Sequence, residues 1–217
     1  MEIIRSIEAF KVFRRGWPPS NTVDLCFVPT MGALHAGHLS LVEKAKKLSQ
    51  YVVVSIFVNP TQFGQGEDYE EYPRQMKKDL DQLKKFGVGA VFIPSDNQMY
   101  PLGYRTNILV EKWERRLCGH SRPNHFRGVT TVVLKFFNIV RPTVAFFGQK
   151  DAQQAILIKR MTEDLNLDIE IFMCPIIREK DGLAISSRNR YLSVQERQAA
   201  VVLFRTLNWA TQQVPTA

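Results

Sequence analysis

The 217-residue sequence predicts an α/β fold: an open, Rossmann-like parallel sheet of about five strands, followed by a smaller C-terminal domain. Three observations predict it. Short apolar, β-branched runs recur at residues 23–28, 51–57, 90–93, 144–147 and 169–173. Segments of helical period lie among them, at residues 39–48, 74–86, 129–140 and 152–165. The strings richest in glycine, histidine and amides stand directly after three of the apolar runs. Continuous apolar strands alternating with helices form parallel sheets buried on both faces, and such sheets bind ligands outside the carboxyl ends of their strands.

Each element can be justified in turn. The run 23–28 leads into PTMGALHAGH, where Gly32 permits a tight turn and Gly37 lets a ligand approach the amides that open the next helix. His35 and His38, three residues apart, project from one side of that first turn toward any anion held there, and the positive helix end lowers their pKa values. Taken singly, either histidine reads as a capping or packing residue. After the run 51–57 comes NPTQFGQGED, in which Pro60 forces an extended or turned backbone and points Gln62 into the rim. Gln62 alone reads as a turn-stabilising amide. Asp79 and Gln82 share a face of the helix 74–86 at i and i+3.

The run 144–147 leads into GQKDAQQ. Asp151 with Gln154 three residues later reads as a capping box, whereas Lys150 beside a positive helix end calls for an anion. Pro175 breaks the pattern and divides the chain into domains 1–175 and 176–217. Beyond it, Ser186, Ser187 and Arg188 in ISSRNR combine hydroxyls with a guanidinium, a set suited to phosphoryl oxygens, although such a string also caps helices. A helix over 194–211 closes the sequence.

Composition narrows the function classes. Hydrophobic residues make up 45% and charged residues 23%, and no apolar stretch approaches the ~20 residues of a membrane span. The opening residues lack the features of a secretory signal, and Cys26, Cys118 and Cys174 are too scattered for a metal clip, so a cytoplasmic protein with free thiols is expected. The formal charge of +8 suits nucleic acid, anionic lipid or a phosphate-bearing small molecule. Lysine clusters near 44–47 and at 84–85 read as solvated helix faces, and no interleaved aromatic and basic pattern marks a nucleic-acid surface. No Ser–His or Cys–His pair stands out as a nucleophile.

GALHAGH resembles the HxGH signature of the nucleotidyltransferase superfamily. The longer PTMGALHAGHLSLV, with SIFVNPTQF, DYEEYPR, SRPNHFRGVTTVV, FFGQKDAQQ and DGLAISSRNRYLS, is similar in order and content to the pantothenate synthetase family. That resemblance covers nearly the whole chain. It implies an ATP-dependent ligase that adenylates pantoate, releases pyrophosphate, and passes the acyl group to β-alanine, yielding pantothenate and AMP. It further implies His38, His35, Lys150 and Arg188 as catalytic residues, with Met31, Gly37, Gly148, Gln149, Asp151, Ile177, Ile185, Ser186 and Ser187 completing the ATP site. Pantoate would meet Met31, Asn59, Gln62, Val132, Val133 and Gln154, and Mg²⁺ would sit near Asp79. Arg122, His125 and Arg127 in SRPNHFRG look like a mobile basic loop without a chemical step. Ile185 stands where the family usually has methionine, a conservative apolar swap, and the family usually continues for several tens of residues past position 217. A homodimer, with no nucleic-acid or membrane partner, is expected. Two rivals remain: another HxGH nucleotidyltransferase, and a weakly active ATP-binding remnant.

Overall fold

The computed structural model describes residues 1–17 and 25–214, so the first two residues of the expected run 23–28 lie outside the described residues. In chain order the elements are β1 (Glu2–Ile4), α1 (Ile7–Gly16), β2 (Cys26–Thr30), α2 (Ala36–Leu48), β3 (Val52–Ile56), α3 (Met76–Lys85), β4 (Ala90–Phe92), α4 (Asp96–Met99), α5 (Cys118–Ser121), α6 (His125–Val140), β5 (Val144–Gly148), α7 (Ala152–Asp164), β6 (Glu170–Cys174), α8 (Val194–Ala200) and α9 (Val202–Gln213). Short 3-10 turns cover Pro60–Gln62, Gln149–Asp151 and Ser187–Tyr191.

Among the described residues, six strands form one parallel sheet in the order β1-β4-β3-β2-β5-β6. The strand missing from the sequence reading is β1, a three-residue edge strand whose only buried side chain is Ile4, too short to show a period. Alternation along each strand sends side chains to two cores. Phe27, Val53, Phe92, Ala145 and Phe147 pack under α1, α6 and α7 with Phe10, Val133, Phe136 and Ile158. Val28, Val54, Val91 and Phe146 pack on the opposite face with Leu41, Val42 and Leu83 of α2 and α3. Burial on both faces is why these strands read as unbroken apolar runs rather than as alternating ones.

This strand order fixes where a ligand can enter. From β2 the chain steps outward to β3 and β4 on one side, and later to β5 and β6 on the other. Helices therefore diverge at the carboxyl ends of β2 and β5, leaving the crevice typical of doubly wound sheets. The expected helix 194–211 is two helices meeting at Val201, whose side chain is buried. Ser193 and Glu196 form a reciprocal capping box at the start of α8. No helix among the described residues is long and apolar enough to cross a membrane. Cys26 and Cys174 are buried free thiols and Cys118 is an exposed one.

Candidate active site

The crevice between β2 and β5 is a cavity that gathers side chains from every motif after the strands. Met31, His35, Gly37 and His38 enter from the end of β2, Asn59 and Gln62 from the end of β3, and Val132 and Val133 from α6. Gly148, Lys150, Asp151 and Gln154 enter from the end of β5. Ile177, Ile185, Ser186, Ser187 and Arg188 close the wall from the segment after β6. Gln149, expected among the ATP contacts, is not part of this wall.

The histidine turn is built by local chemistry. Gly32 takes φ +82°, and a Cβ there would stand 3.0 Å from Ile56 Cγ2 and 3.1 Å from Asp79 Oδ2, so the turn after β2 requires glycine. His35 occupies the N-cap of α2, its Nδ1 accepting the Gly37 amide at 3.1 Å. A side chain on Gly37 would press within 2.9 Å of that ring, so this glycine makes room for the cap as well as for any ligand. His38 stacks on His35 with ring centroids 4.1 Å apart. Its Nδ1 is buried without a hydrogen-bond partner. A bare acceptor is cheaper to bury unpaired than an N–H, so both rings carry their proton on Nε2 and present two neighbouring donors.

Burial and neighbouring charge set the charge state of this pair. Desolvation first, and Lys150 second, pull His35 below the usual imidazole range. Desolvation, then His35 and Lys150, push His38 down to about 3. The unfolded chain protonates His38 near 6.5, whereas the folded chain resists until about 3, so this group's contribution to stability is full above 6.5 and lost as pH falls through that window. The melting temperature should therefore fall more steeply between about pH 7 and 4 for the wild type than for His38→Gln. Parallel curves in scanning calorimetry would show that His38 is not the cause.

Asp79 corrects an expectation. Its carboxylate does not face the cavity. Oδ2 accepts from the Ala33 amide and Oδ1 from the Leu34 amide, both at 2.8 Å, and the residue is 1% exposed. Burial raises its pKa while the two amide bonds pull the other way. Asp79 is the peg on which α3 hangs the histidine turn, each oxygen accepting one of the turn's amides. Gln82 lies with Lys78 and Lys85 in a separate surface groove. Among the described residues, no group of three His, Cys, Asp or Glu side chains converges as a metal cage. Asp151 differs as well: its carboxylate pairs with Lys150 Nζ at 2.9 Å and caps nothing, so the expected capping box with Gln154 does not form.

On the other side of the cavity, main-chain groups fix the amides. The Gly128 carbonyl can only accept, so the Asn59 atom 3.2 Å from it is Nδ2, while Oδ1 receives the Thr61 amide at 3.4 Å and the Tyr100 hydroxyl at 2.8 Å. Asn59 Nδ2 also donates to Gln62 Oε1 at 3.1 Å, which leaves Gln62 Nε2 as a donor beside Met31 Sδ. Asn59 thus orients Gln62. The cavity wall also includes Tyr72, Arg122 and His125, which the sequence reading marked only as parts of strings or as a basic loop. His125 donates from Nδ1 to the Gln62 carbonyl at 2.8 Å and receives Arg122 Nη1 on Nε2 at 3.1 Å, and burial keeps it neutral by lowering its pKa. Arg127 is exposed and outside the wall.

The chain is similar to known proteins over most of its length. A family profile described as pantoate-beta-alanine ligase matches residues 2–217. The pantothenate synthetase of Pseudothermotoga lettingae is 56% identical over 97% of this chain and 74% of its own length, and that of Thermodesulfovibrio yellowstonii is 57% identical over 83% and 65%. The chain thus spans roughly two thirds to three quarters of these relatives. Among solved structures, the Thermus thermophilus enzyme superposes with TM-score 0.89 at 45% identity, covering 94% of this chain and 72% of that one. The Francisella tularensis ligase, solved in complex with β-γ ATP and β-alanine, gives 0.89 at 40% identity over 96% and 79%. Since the profile match runs almost from end to end and the identities exceed half, the chain belongs to the pantoate-beta-alanine ligase family, the pantothenate synthetases.

Proposed function

We propose that this chain joins pantoate to β-alanine at the expense of ATP, through a pantoyl adenylate, releasing pyrophosphate and AMP. The observation that carries the reading is a single cavity with neutral imidazole donors and a lysine at one end and oriented amides over an apolar floor at the other. A carboxylate is a poor acyl donor in water, so adenylation must supply a leaving group before an amine can attack. Pantoate lies with its gem-dimethyl group on Val132 and Val133 and its polar groups on Gln62 and Gln154. Its carboxylate attacks the α-phosphorus of ATP. His35 and His38 donate from Nε2, and Lys150, released from Asp151, adds charge as negative charge grows between the α- and β-phosphates. Ser186, Ser187 and Arg188 hold phosphate oxygens from the far wall. Arg122, beside His125 and Gln62, faces the carboxylate of β-alanine as its amine attacks the anhydride. The protein supplies position and charge, with no covalent enzyme intermediate.

Mg²⁺ enters this reading on the phosphates of ATP, an ion that keeps several waters and needs few protein ligands. All six strands of the described residues lie before Pro175, which favours division into a sheet domain, 1–175, and a second domain from 176 that closes over the nucleotide and keeps water from the adenylate. A cytoplasmic homodimer acting on small molecules completes the proposal. Its test is AMP release with each substrate omitted in turn, together with ATP–pyrophosphate exchange. Exchange should require pantoate and not β-alanine. Exchange supported instead by nucleoside monophosphates would assign the chain to another HxGH transferase.

A further inference from the structure

Two consecutive acidic residues grip two arginines of the cavity wall in the same way. Glu67 accepts Nε and Nη2 of Arg122, each at 2.6 Å. Asp68 accepts Nε and Nη2 of Arg188, each at 2.8 Å. The arginines arrive from separate parts of the chain, Arg122 ahead of α6 and Arg188 from the turn after β6. Both line the cavity, and neither carboxylate does. In each fork Nη1 is left over. That of Arg122 meets His125, and that of Arg188 has no protein partner among the described residues. The supporting loop is itself tied down: Arg74 donates to the carbonyls of Tyr69, Glu70 and Tyr72. The Arg188 guanidinium also sits 5.5 Å from the centre of the Tyr72 ring, whose hydroxyl meets Ser187 at 3.3 Å.

We propose that Glu67 and Asp68 are positioning residues: one loop aims Arg122 beside His125 and Gln62, and Arg188 beside Ser186 and Ser187, in the cavity wall. The inference rests on the proposed function for the identity of those substrates. An arginine side chain is long and rotamer-rich, and a bidentate carboxylate on its Nε–Nη2 edge restricts that freedom before substrate arrives. Both carboxylates are held below their usual pKa range by their arginines, so the forks are charged at neutral pH. A fork that merely braced the loop would serve all substrates alike. A fork that aims one arginine serves one substrate.

Asp68→Asn and Glu67→Gln separate these roles, with kcat and the KM of ATP, pantoate and β-alanine measured for each. Asp68→Asn should raise the KM of ATP about fivefold to tenfold and leave β-alanine within about twofold, the size expected for one charge-assisted contact. Glu67→Gln should do the reverse, raising the KM of β-alanine about fivefold to tenfold with ATP within about twofold. Asp68→Glu keeps the charge and should recover most of the ATP loss. If a variant lacks turnover, ATP binding by calorimetry reads the same shift. A uniform rise in all three KM values, no change, or a lower KM for ATP in Asp68→Asn would overturn the proposal. Wild-type protein that makes no pantothenate would instead refute the proposed function.

Discussion

His38→Ala is expected to lower kcat for pantoyl-adenylate formation by about 10²–10³, the typical loss when one preorganised donor to a developing charge is removed, with the KM values of ATP and pantoate changed far less. The expectation follows from the state of the ring. Desolvation holds His38 neutral, so its Nε2 proton is a preorganised dipole when charge appears on the phosphates. Its Nδ1 lacks a partner, so nothing on the protein side competes by reversing the tautomer. His35 behaves differently. Its ring also caps α2 through the Gly37 amide, so His35→Ala should lose stability, about 1 kcal/mol for a missing cap, as well as rate. Pantoate-dependent ATP–pyrophosphate exchange and thermal melting distinguish the two. Equal melting loss in both variants, or a His38→Ala rate near wild type, would contradict this division of labour.

The sequence showed the sheet and most of the cavity because both are written locally. An unbroken apolar run such as residues 51–57 declares a strand buried on two faces, and glycine and histidine directly after a strand declare a turn with a purpose. What it could not show was which distant group would meet an exposed backbone. Asp79 shares a helix face with Gln82, yet helical spacing says nothing of the Ala33 and Leu34 amides that settle on its oxygens. Asp151 has capping-box spacing, but Lys150 next to it captures the carboxylate. Arg122 and His125 sat in a string that looked mobile; Glu67, 55 residues earlier in the chain, anchors it. Edge elements failed for the opposite reason: β1 has a single buried side chain, too little to pattern.

Gly128→Ala is the severest test of how the core serves the site. A Cβ at this position would lie 2.4 Å from the Thr61 carbonyl oxygen, 2.6 Å from its carbon and 2.7 Å from Gln62 Cα. These are main-chain atoms, with no rotamer to turn aside. Helix α6 cannot retreat easily, because Val129, Val132, Val133 and Phe136 are packed in the core beneath it. The turn Pro60–Gln62 must therefore lift, breaking the Asn59–Gly128 bond and releasing the Gln62 amide from its fixed orientation. Overpacking of this kind costs about 1–3 kcal/mol, which should appear as a lower denaturation midpoint. The KM of pantoate should rise by about tenfold or more, since even an ångström of misplacement is expensive in a preorganised site. The KM of ATP should hold, because His35, His38 and Lys150 hang from the ends of β2 and β5 rather than from this turn. Equal losses for both substrates would mean that the two halves of the cavity are not mechanically separate.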